Sequence, residues 1–465
     1  MLFQIQKEIL QQKSFNLLKS IEYDVAQYKK LKKEYLRLPA TAQKKLTPQL
    51  FVFMLLASIE HDDIDFAKKL IHAHDYDAMG TNEAKLALGR LFNKLEYCNE
   101  VIKYFLPLFD DGKLGSADLA NLFRHLFERA RHKDCHRIMK YVEEHYPNHF
   151  GWEVEILDYQ LKINHLYPTP KDIIIEKLKT LYPRCKTSEE YYRMGDCFYK
   201  AGYFKDAVNM FDIALQKVKS SPCNDYKALF DSSKCLDTMN DVIDILESNG
   251  VKPFPIGGSL LGLVRDGKFM DYDKDADVGI FVNNYNEIFK IMSLICESPR
   301  FISSGMINSP KESHLLNIAI FDVINGTTVD IFFFYHQSSY VEEGIYTICG
   351  TLKWQFSSFQ LIRSKLAGKE YWIPDNVNLF FNELYGDWKT PVEVWDSIVN
   401  CPNLVPSSQP VVIYYSLMRL HNAIHDGKIK QALNYYQTLI NRWGMRFSIE
   451  ADANIKKLLN LTELL

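Results

Sequence analysis

The stretch IGGSLLGLVRDGKFMDYDKDADVGIFV, Ile256 to Val282, decides how this chain is read. A short apolar run, Lys252 to Ile256, ends in Gly257-Gly258-Ser259. A helix-forming segment and a loop follow, and then Asp273-x-Asp275-x-Asp277 runs into the apolar strand Ala276 to Val282. Alternate residues of an extended segment face one side, so Asp275 and Asp277 aim their carboxylates together. Further on, Asn317 to Val323 and Thr328 to Phe334 flank Asn325-Gly326, a hairpin signal because both positions tolerate positive φ. Asp330, in the second of these strands, can join the pair from a neighbouring strand. Three clustered carboxylates repel one another, and a divalent cation relieves that repulsion; hard oxygen ligands select Mg²⁺ or Mn²⁺. The two glycines and Ser259, at a helix N-terminus, offer unhindered backbone N–H groups and a hydroxyl to a phosphate oxygen.

Strand, glycine turn, helix, acidic loop and strand, in that order, is the arrangement of a nucleotidyltransferase fold. Arg265, on the helix after the glycines, is expected to contact phosphate because a guanidinium engages two oxygens at once; Lys268 is a second candidate. Gly262-x-x-x-x-Gly267-Lys268 imitates a nucleotide-binding P-loop, but it ends in Phe269, which has no hydroxyl for Mg²⁺, and it follows a helix instead of a strand. Trp354, Tyr385 and Trp388 are candidates to stack on a base or sugar, or else are core. Asp375 either caps a helix or acts in the site. His61-Asp62-Asp63 and the cluster from His132 to His136 read as solvated faces without metal-ligand spacing. His314, near the site in sequence, reads as structural.

Outside this middle segment the texture is helical. From residue 1 to about 225 apolar residues recur at three- and four-residue intervals. Tyr191, Met194, Gly195, Phe198, Gly202, Ala207, Phe211 and Ala214 follow the small-and-large pattern of a tetratricopeptide-type helix pair. Gly89, Phe92, Val101 and Phe105 keep the spacings of Gly195, Phe198, Ala207 and Phe211. Ser220-Ser221-Pro222 reads as a linker, and Leu229 to Asn249 as one amphipathic helix ended by Gly250. After Pro410, Tyr415 to Tyr436 looks like a further helical pair. The expected architecture is α+β and multidomain: a helical-repeat solenoid over 1–222, an α/β catalytic domain over 223–405 and a C-terminal helical segment over 406–465.

Bulk composition narrows the function. With 55 Lys+Arg against 58 Asp+Glu the formal net charge is -3, which argues against a chain built to neutralise nucleic acid. Nine cysteines lie scattered without a C-x-x-C pair, and no stretch carries the roughly 18 apolar residues of a membrane span. A cytoplasmic location, peripheral to the inner face of the membrane, is the expectation.

Three motifs then resemble one family. GGSLLGLVRDGKFMDYDKDADVGIFV (Gly257 to Val282) resembles the signature of the LicD/fukutin family, and VDIFFFY (Val329 to Tyr335) its second motif in the fukutin wording. YWIPDNVNLFFNELYGDWKTPVEVW (Tyr371 to Trp395) is similar to its closing segment. Tyr272, Lys274 and Ala276 depart from the LicD form. Because Lys274 removes a ligand, metal binding is expected to rest on Asp275, Asp277 and Asp330, with Asp273 in support. The resemblance implies a CDP-linked donor, CDP-alditol or CDP-choline, whose distal phosphorus is attacked by a hydroxyl of a glycan or lipid-linked glycan. CMP is released, and Asp330 or Asp273 takes the proton. The helical repeats would hold the acceptor or a protein partner. Two alternatives stand beside this reading: nucleotidyl transfer with release of pyrophosphate, and an adaptor whose catalytic domain is inactive.

Overall fold

The computed structural model describes residues 25–39, 48–61, 63–73, 81–94, 98–129, 131–164, 168–221, 232–270, 275–304, 317–322, 324–347, 350–392, 394–406 and 409–461. The chain divides into two compact units, Met1–Pro147 and Asn148–Leu465.

The first unit is helical: α1 (Val25–Leu36), α2 (Pro48–Glu60), α3 (Ile64–Ala73), α4 (Asn82–Lys94), α5 (Cys98–Asp110), α6 (Ser116–Glu128) and α7 (His132–His145). The small-and-large pattern has a direct cause here. A Cβ on Gly89 in α4 would lie 2.0 Å from the ring of Phe105 in α5, so only glycine lets the two helices close on that ring. In the second unit Gly195 and Phe211 repeat the contact, with the added Cβ 2.9 Å from the ring.

The second unit opens with α8 (Phe150–Lys162), α9 (Lys171–Leu181), α10 (Ser188–Lys200) and α11 (Phe204–Lys217), and ends with α16 (Gln409–His425), α17 (Ile429–Asn441) and α18 (Ile449–Leu458). A capping box of Thr187 and Glu190 starts α10. The expected linker at Ser220-Ser221-Pro222 runs into residues outside those described. Tyr199, Phe211 and Leu215 of α10 and α11 share one apolar core with Leu417, Leu420 and Leu439 of the C-terminal helices. The Tyr199 ring stacks on Tyr414 at 3.6 Å. Burial of these faces against each other joins chain segments that the sequence keeps apart. The helix pair expected after Pro410 is present as α16 and α17. Among the described residues, no helix is long and apolar enough to cross a membrane.

Between these helical parts lie α12 (Ser232–Ser248), α13 (Gly257–Arg265), α14 (Tyr285–Cys296) and α15 (Val377–Tyr385), with ten strands among the described residues. An eight-stranded mixed sheet contains β1 (Phe254–Pro255), β2 (Ala276–Phe281), β3 (Phe301–Ser304), β4 (Asn317–Asp322), β5 (Thr327–His336), β6 (Tyr340–Thr347), β7 (Gly350–Ser357) and β10 (Leu404–Pro406). A separate hairpin is made of β8 (Leu361–Leu366) and β9 (Lys369–Pro374). Among the described residues only β2 and β5 pair in parallel, in a register that sets Asp277 opposite Asp330. Ala276, Val278, Val329 and Ile331 alternate with these carboxylates and are at most 1% exposed, so they hold both strands to the core.

The hairpin expected at Asn325-Gly326 forms, with a longer loop and a different turn. Asp322 pairs with Thr327, and of the two glycine-like positions only Gly326 adopts positive φ, +69°. The buried Asp322 carboxylate takes over the rest of the turn by accepting the amides of Ile324 and Asn325 at 2.9 and 3.2 Å. It is held in turn by the Thr238 hydroxyl at 2.7 Å and by the Arg300 guanidinium at 2.6 and 2.9 Å.

Candidate active site

The site grows from the turn between β1 and α13. The Ile256 amide donates to the Asp277 carbonyl at 3.1 Å, and Ser259 Oγ accepts the Asp277 amide at 2.9 Å. Ser259 is thus buried and tied to β2, and its hydroxyl orients the strand that carries the carboxylate. Gly257 has φ +54°, and a Cβ there would meet Asp277 Oδ2 at 2.7 Å. The glycine is needed twice, for its left-handed backbone and for the close approach of the carboxylate. After α13 the chain folds back at Gly262, where a Cβ would meet the Lys268 carbonyl at 2.7 Å. Further on, Asp277 of β2 lies against the start of the helix.

Asp277 and Asp330, being register partners, project to one side of the sheet, and Asp275 stands in the bend just before β2. Burial, and next the negative charge of Asp275, push the Asp330 carboxyl up to about 6. Asp277 and Asp330 thus share a face, and Asp275 stands close enough for its charge to act on Asp330. Among the described residues, no group of three His, Cys, Asp or Glu side chains converges closely enough to hold a metal by itself. Asp273 lies outside the described residues, as do Tyr272, Lys274 and His314. The donor set still fits a hard divalent cation: it is all carboxylate oxygen, its members repel, and Mg²⁺ commonly takes one or two carboxylates and completes its shell with water and substrate phosphate.

Arg265 is at the far end of α13, roughly 12 Å from Gly257 along the helix axis. Its guanidinium forks onto Asp266 at 2.9 and 3.1 Å. Lys268 is exposed in the turn beyond. Asp375 does not cap α15: Asn376 does, its side chain accepting the Leu379 amide at 3.0 Å.

Beside the glycine turn is a cavity of about 230 Å³. Gly257, Gly258 and Asp277 close one end, Phe334, Phe356 and Phe380 contribute to its apolar wall, and Glu343 and Trp395 also line it. Of the three aromatics expected to stack, Trp354 and Tyr385 line this cavity, whereas Trp388 packs on Phe381 with ring centroids 4.9 Å apart. Glu343 was not legible as a site residue. It follows Glu342 in β6, and a tandem of acids reads as solvated surface; yet it is 7% exposed, and burial pushes its carboxyl up to about 8. A larger recess, about 440 Å³, lies at the opposite ends of β2 and β5 beside Lys252, Lys290 and His336, away from the carboxylates.

A glycine turn at a helix start, facing carboxylates on two parallel neighbouring strands, defines a nucleotidyltransferase-type domain. The comparison with known families agrees: residues 250–376 match the model described as LicD/FKTN/FKRP, nucleotidyltransferase domain. Among curated proteins the chain is similar to the ribitol-5-phosphate transferase FKTN of Macaca fascicularis and of Mus musculus, at 26% identity over 170 residues, 35% of this chain and 34% of theirs. The Homo sapiens protein of the same name is 25% identical over the same length. The chain thus spans about a third of the length of these relatives.

Proposed function

We propose that this chain is a metal-dependent phosphotransferase that moves a phospho-alditol, ribitol phosphate or glycerol phosphate, from a CDP-activated donor to a hydroxyl of a glycan or lipid-linked glycan. The observation that carries this reading is the register of Asp277 against Asp330, with Asp275 beside them, at the mouth of a glycine turn. The similarity to ribitol-5-phosphate transferases favours an alditol over choline.

In this reading Gly257 and Gly258 receive the donor phosphates at the N-terminus of α13, where backbone N–H groups are unhindered and the helix dipole favours negative charge. Asp275, Asp277 and Asp330 would hold the Mg²⁺ or Mn²⁺, which supplies neutralisation of the phosphate charge. Ser259 fixes Asp277 through its amide. The acceptor hydroxyl oxygen forms the new bond to the distal phosphorus. The bond from that phosphorus to the bridging oxygen breaks, and CMP leaves with that oxygen. Of the two candidates for the acceptor proton, Asp330 is in the described geometry. Arg265 reaches phosphate only by leaving Asp266. The helical repeats are assigned the acceptor or a protein partner, and the scattered cysteines, unbridged where described, favour a reducing, cytoplasmic setting.

The test is nucleotide release from CDP-ribitol, CDP-glycerol and CDP-choline, with and without Mg²⁺ or Mn²⁺, over a panel of glycan acceptors. Metal-dependent CMP release with an alditol donor is expected. Release of pyrophosphate from a nucleoside triphosphate, or silence with all three donors together with no binding of them in calorimetry, overturns the reading.

A further inference from the structure

The cavity beside Asp277 contains polar groups that the proposed chemistry does not use. Glu343 Oε2 and Trp395 Nε1 are both buried without a hydrogen-bond partner among the described residues, and both side chains line the cavity. An unmet buried group of this kind destabilises the fold, so an occupant that satisfies them is favoured. Trp354, opposite Glu343 across β6 and β7, does not help, because its own Nε1 donates to the Ser397 carbonyl at 3.2 Å.

Resting on the phosphotransferase reading, we infer that Glu343 and Trp395 read the transferred group and select a polyol, with its hydroxyls meeting the carboxyl oxygen and the indole N–H. Three observations carry this. The cavity abuts Gly257, Gly258 and Asp277, where the reacting phosphate is expected, so its occupant is attached to that phosphate. At about 230 Å³ it is smaller than the roughly 300–1,000 Å³ of pockets for larger ligands. It therefore holds a group of a few carbons, not a nucleotide or a polymer-borne acceptor. Finally, the two orphaned groups are an acceptor-capable carboxyl and a donor-only N–H. A hydroxyl both donates and accepts, and satisfies either. A quaternary ammonium would enjoy the aromatic wall and the carboxyl but would leave the Trp395 N–H unmet.

The experiment uses the full chain and three variants, Glu343→Met, Glu343→Gln and Trp395→Phe, each confirmed as folded by circular dichroism. Affinities for CDP, CDP-ribitol and CDP-choline are measured by calorimetry. Glu343→Met and Trp395→Phe are expected to weaken CDP-ribitol about tenfold each while leaving CDP within twofold. Glu343→Gln, which keeps a hydrogen-bonding group without charge, is expected to retain CDP-ribitol within threefold. The inference is overturned if Glu343→Met and Trp395→Phe leave CDP-ribitol unchanged, if they weaken CDP equally, or if CDP-choline is the tighter ligand of the wild type. Failure of the parent reading has a different signature, since CDP itself then does not bind the wild type. In that event ligand-observed NMR with ribitol 5-phosphate still decides the cavity: saturation transfer lost in Glu343→Met supports the inference, and none in the wild type overturns it.

Discussion

Asp277 Oδ2 lies 2.7 Å from the place a Cβ on Gly257 would occupy, so the glycine and the carboxylate form one unit. Gly257→Ala must both hold a methyl-bearing residue at φ +54° and push the carboxylate aside. The backbone cost is about 1–2 kcal/mol. The displacement of Asp277 should lower turnover roughly 100-fold, the scale of an ångström's misplacement at a reacting centre. Comparing the melting temperature with CMP release checks this: a small loss of stability with a large loss of rate is expected.

Removing a carboxylate should have the opposite balance. Asp275→Ala relieves the repulsion that raises Asp330, so stability is expected to hold or rise while turnover falls by roughly 10²–10³-fold or more. Asp330→Ala should behave alike. Chelation by EDTA should abolish wild-type turnover and added Mg²⁺ or Mn²⁺ restore it. Full activity in both variants would move the chemistry elsewhere.

Asp322 gives a stability test remote from the cavity. Burial pushes its carboxyl up, but the Arg300 guanidinium, the Thr238 hydroxyl and two turn amides outweigh burial and hold it below the usual carboxylate range. A depressed pKa contributes stability above the unfolded value, and that contribution is lost as pH falls below about 4. Urea denaturation should therefore show the wild type losing this contribution between pH 5 and pH 3. Asp322→Asn lacks it at both, and Asp322→Ala should cost about 1–3 kcal/mol at neutral pH by removing the buried acceptor of the Thr238 hydroxyl and the turn amides, while Arg300 keeps its ion pair with Asp241.

Glu343 has the reverse sign. Burial raises its carboxyl from the usual range to about 8, so the folded state keeps a proton that the unfolded chain gives up. Stability is then fully present below the unfolded value near 4.5 and declines as pH rises toward 8. Glu343→Gln removes this dependence and should be more stable than the wild type at pH 8, by a few kcal/mol as an upper figure. Denaturation curves at pH 5 and pH 8 read the difference directly.

Two matched glycines should respond unequally. Alanine gains about 1 kcal/mol over glycine in a helix. At Gly89 the new methyl would stand 2.0 Å from the Phe105 ring, and overpacking of about 1–3 kcal/mol dominates. At Gly195 the distance to Phe211 is 2.9 Å, a clash a small ring shift relieves, so Gly195→Ala should fall nearer to neutral. Thermal melts of the two variants test this order.

What the sequence determined by itself rests on short-range geometry. Two glycines at a strand end, carboxylates two residues apart and a three-to-four-residue apolar rhythm fix local conformation within a turn or a strand. For that reason the glycine turn, β2, the two glycine-on-aromatic helix pairs and the C-terminal helix pair were all legible. The hairpin was legible in place but not in detail, because the Asp322 side chain took over a turn that Asn325 was expected to shape.

Only the tertiary structure decided what depends on segments distant in the chain. The parallel register sets Asp330 against Asp277, although the two strands are separated by a helix and two other strands. The Glu342-Glu343 tandem looks like surface until β7 pairs with β6 and closes over Glu343. The compact units part at Pro147 because α10 and α11 bury their apolar faces against helices from the other end of the chain. Burial, and with it the charge state of a carboxyl, is a property of everything packed around a residue, so local sequence does not encode it.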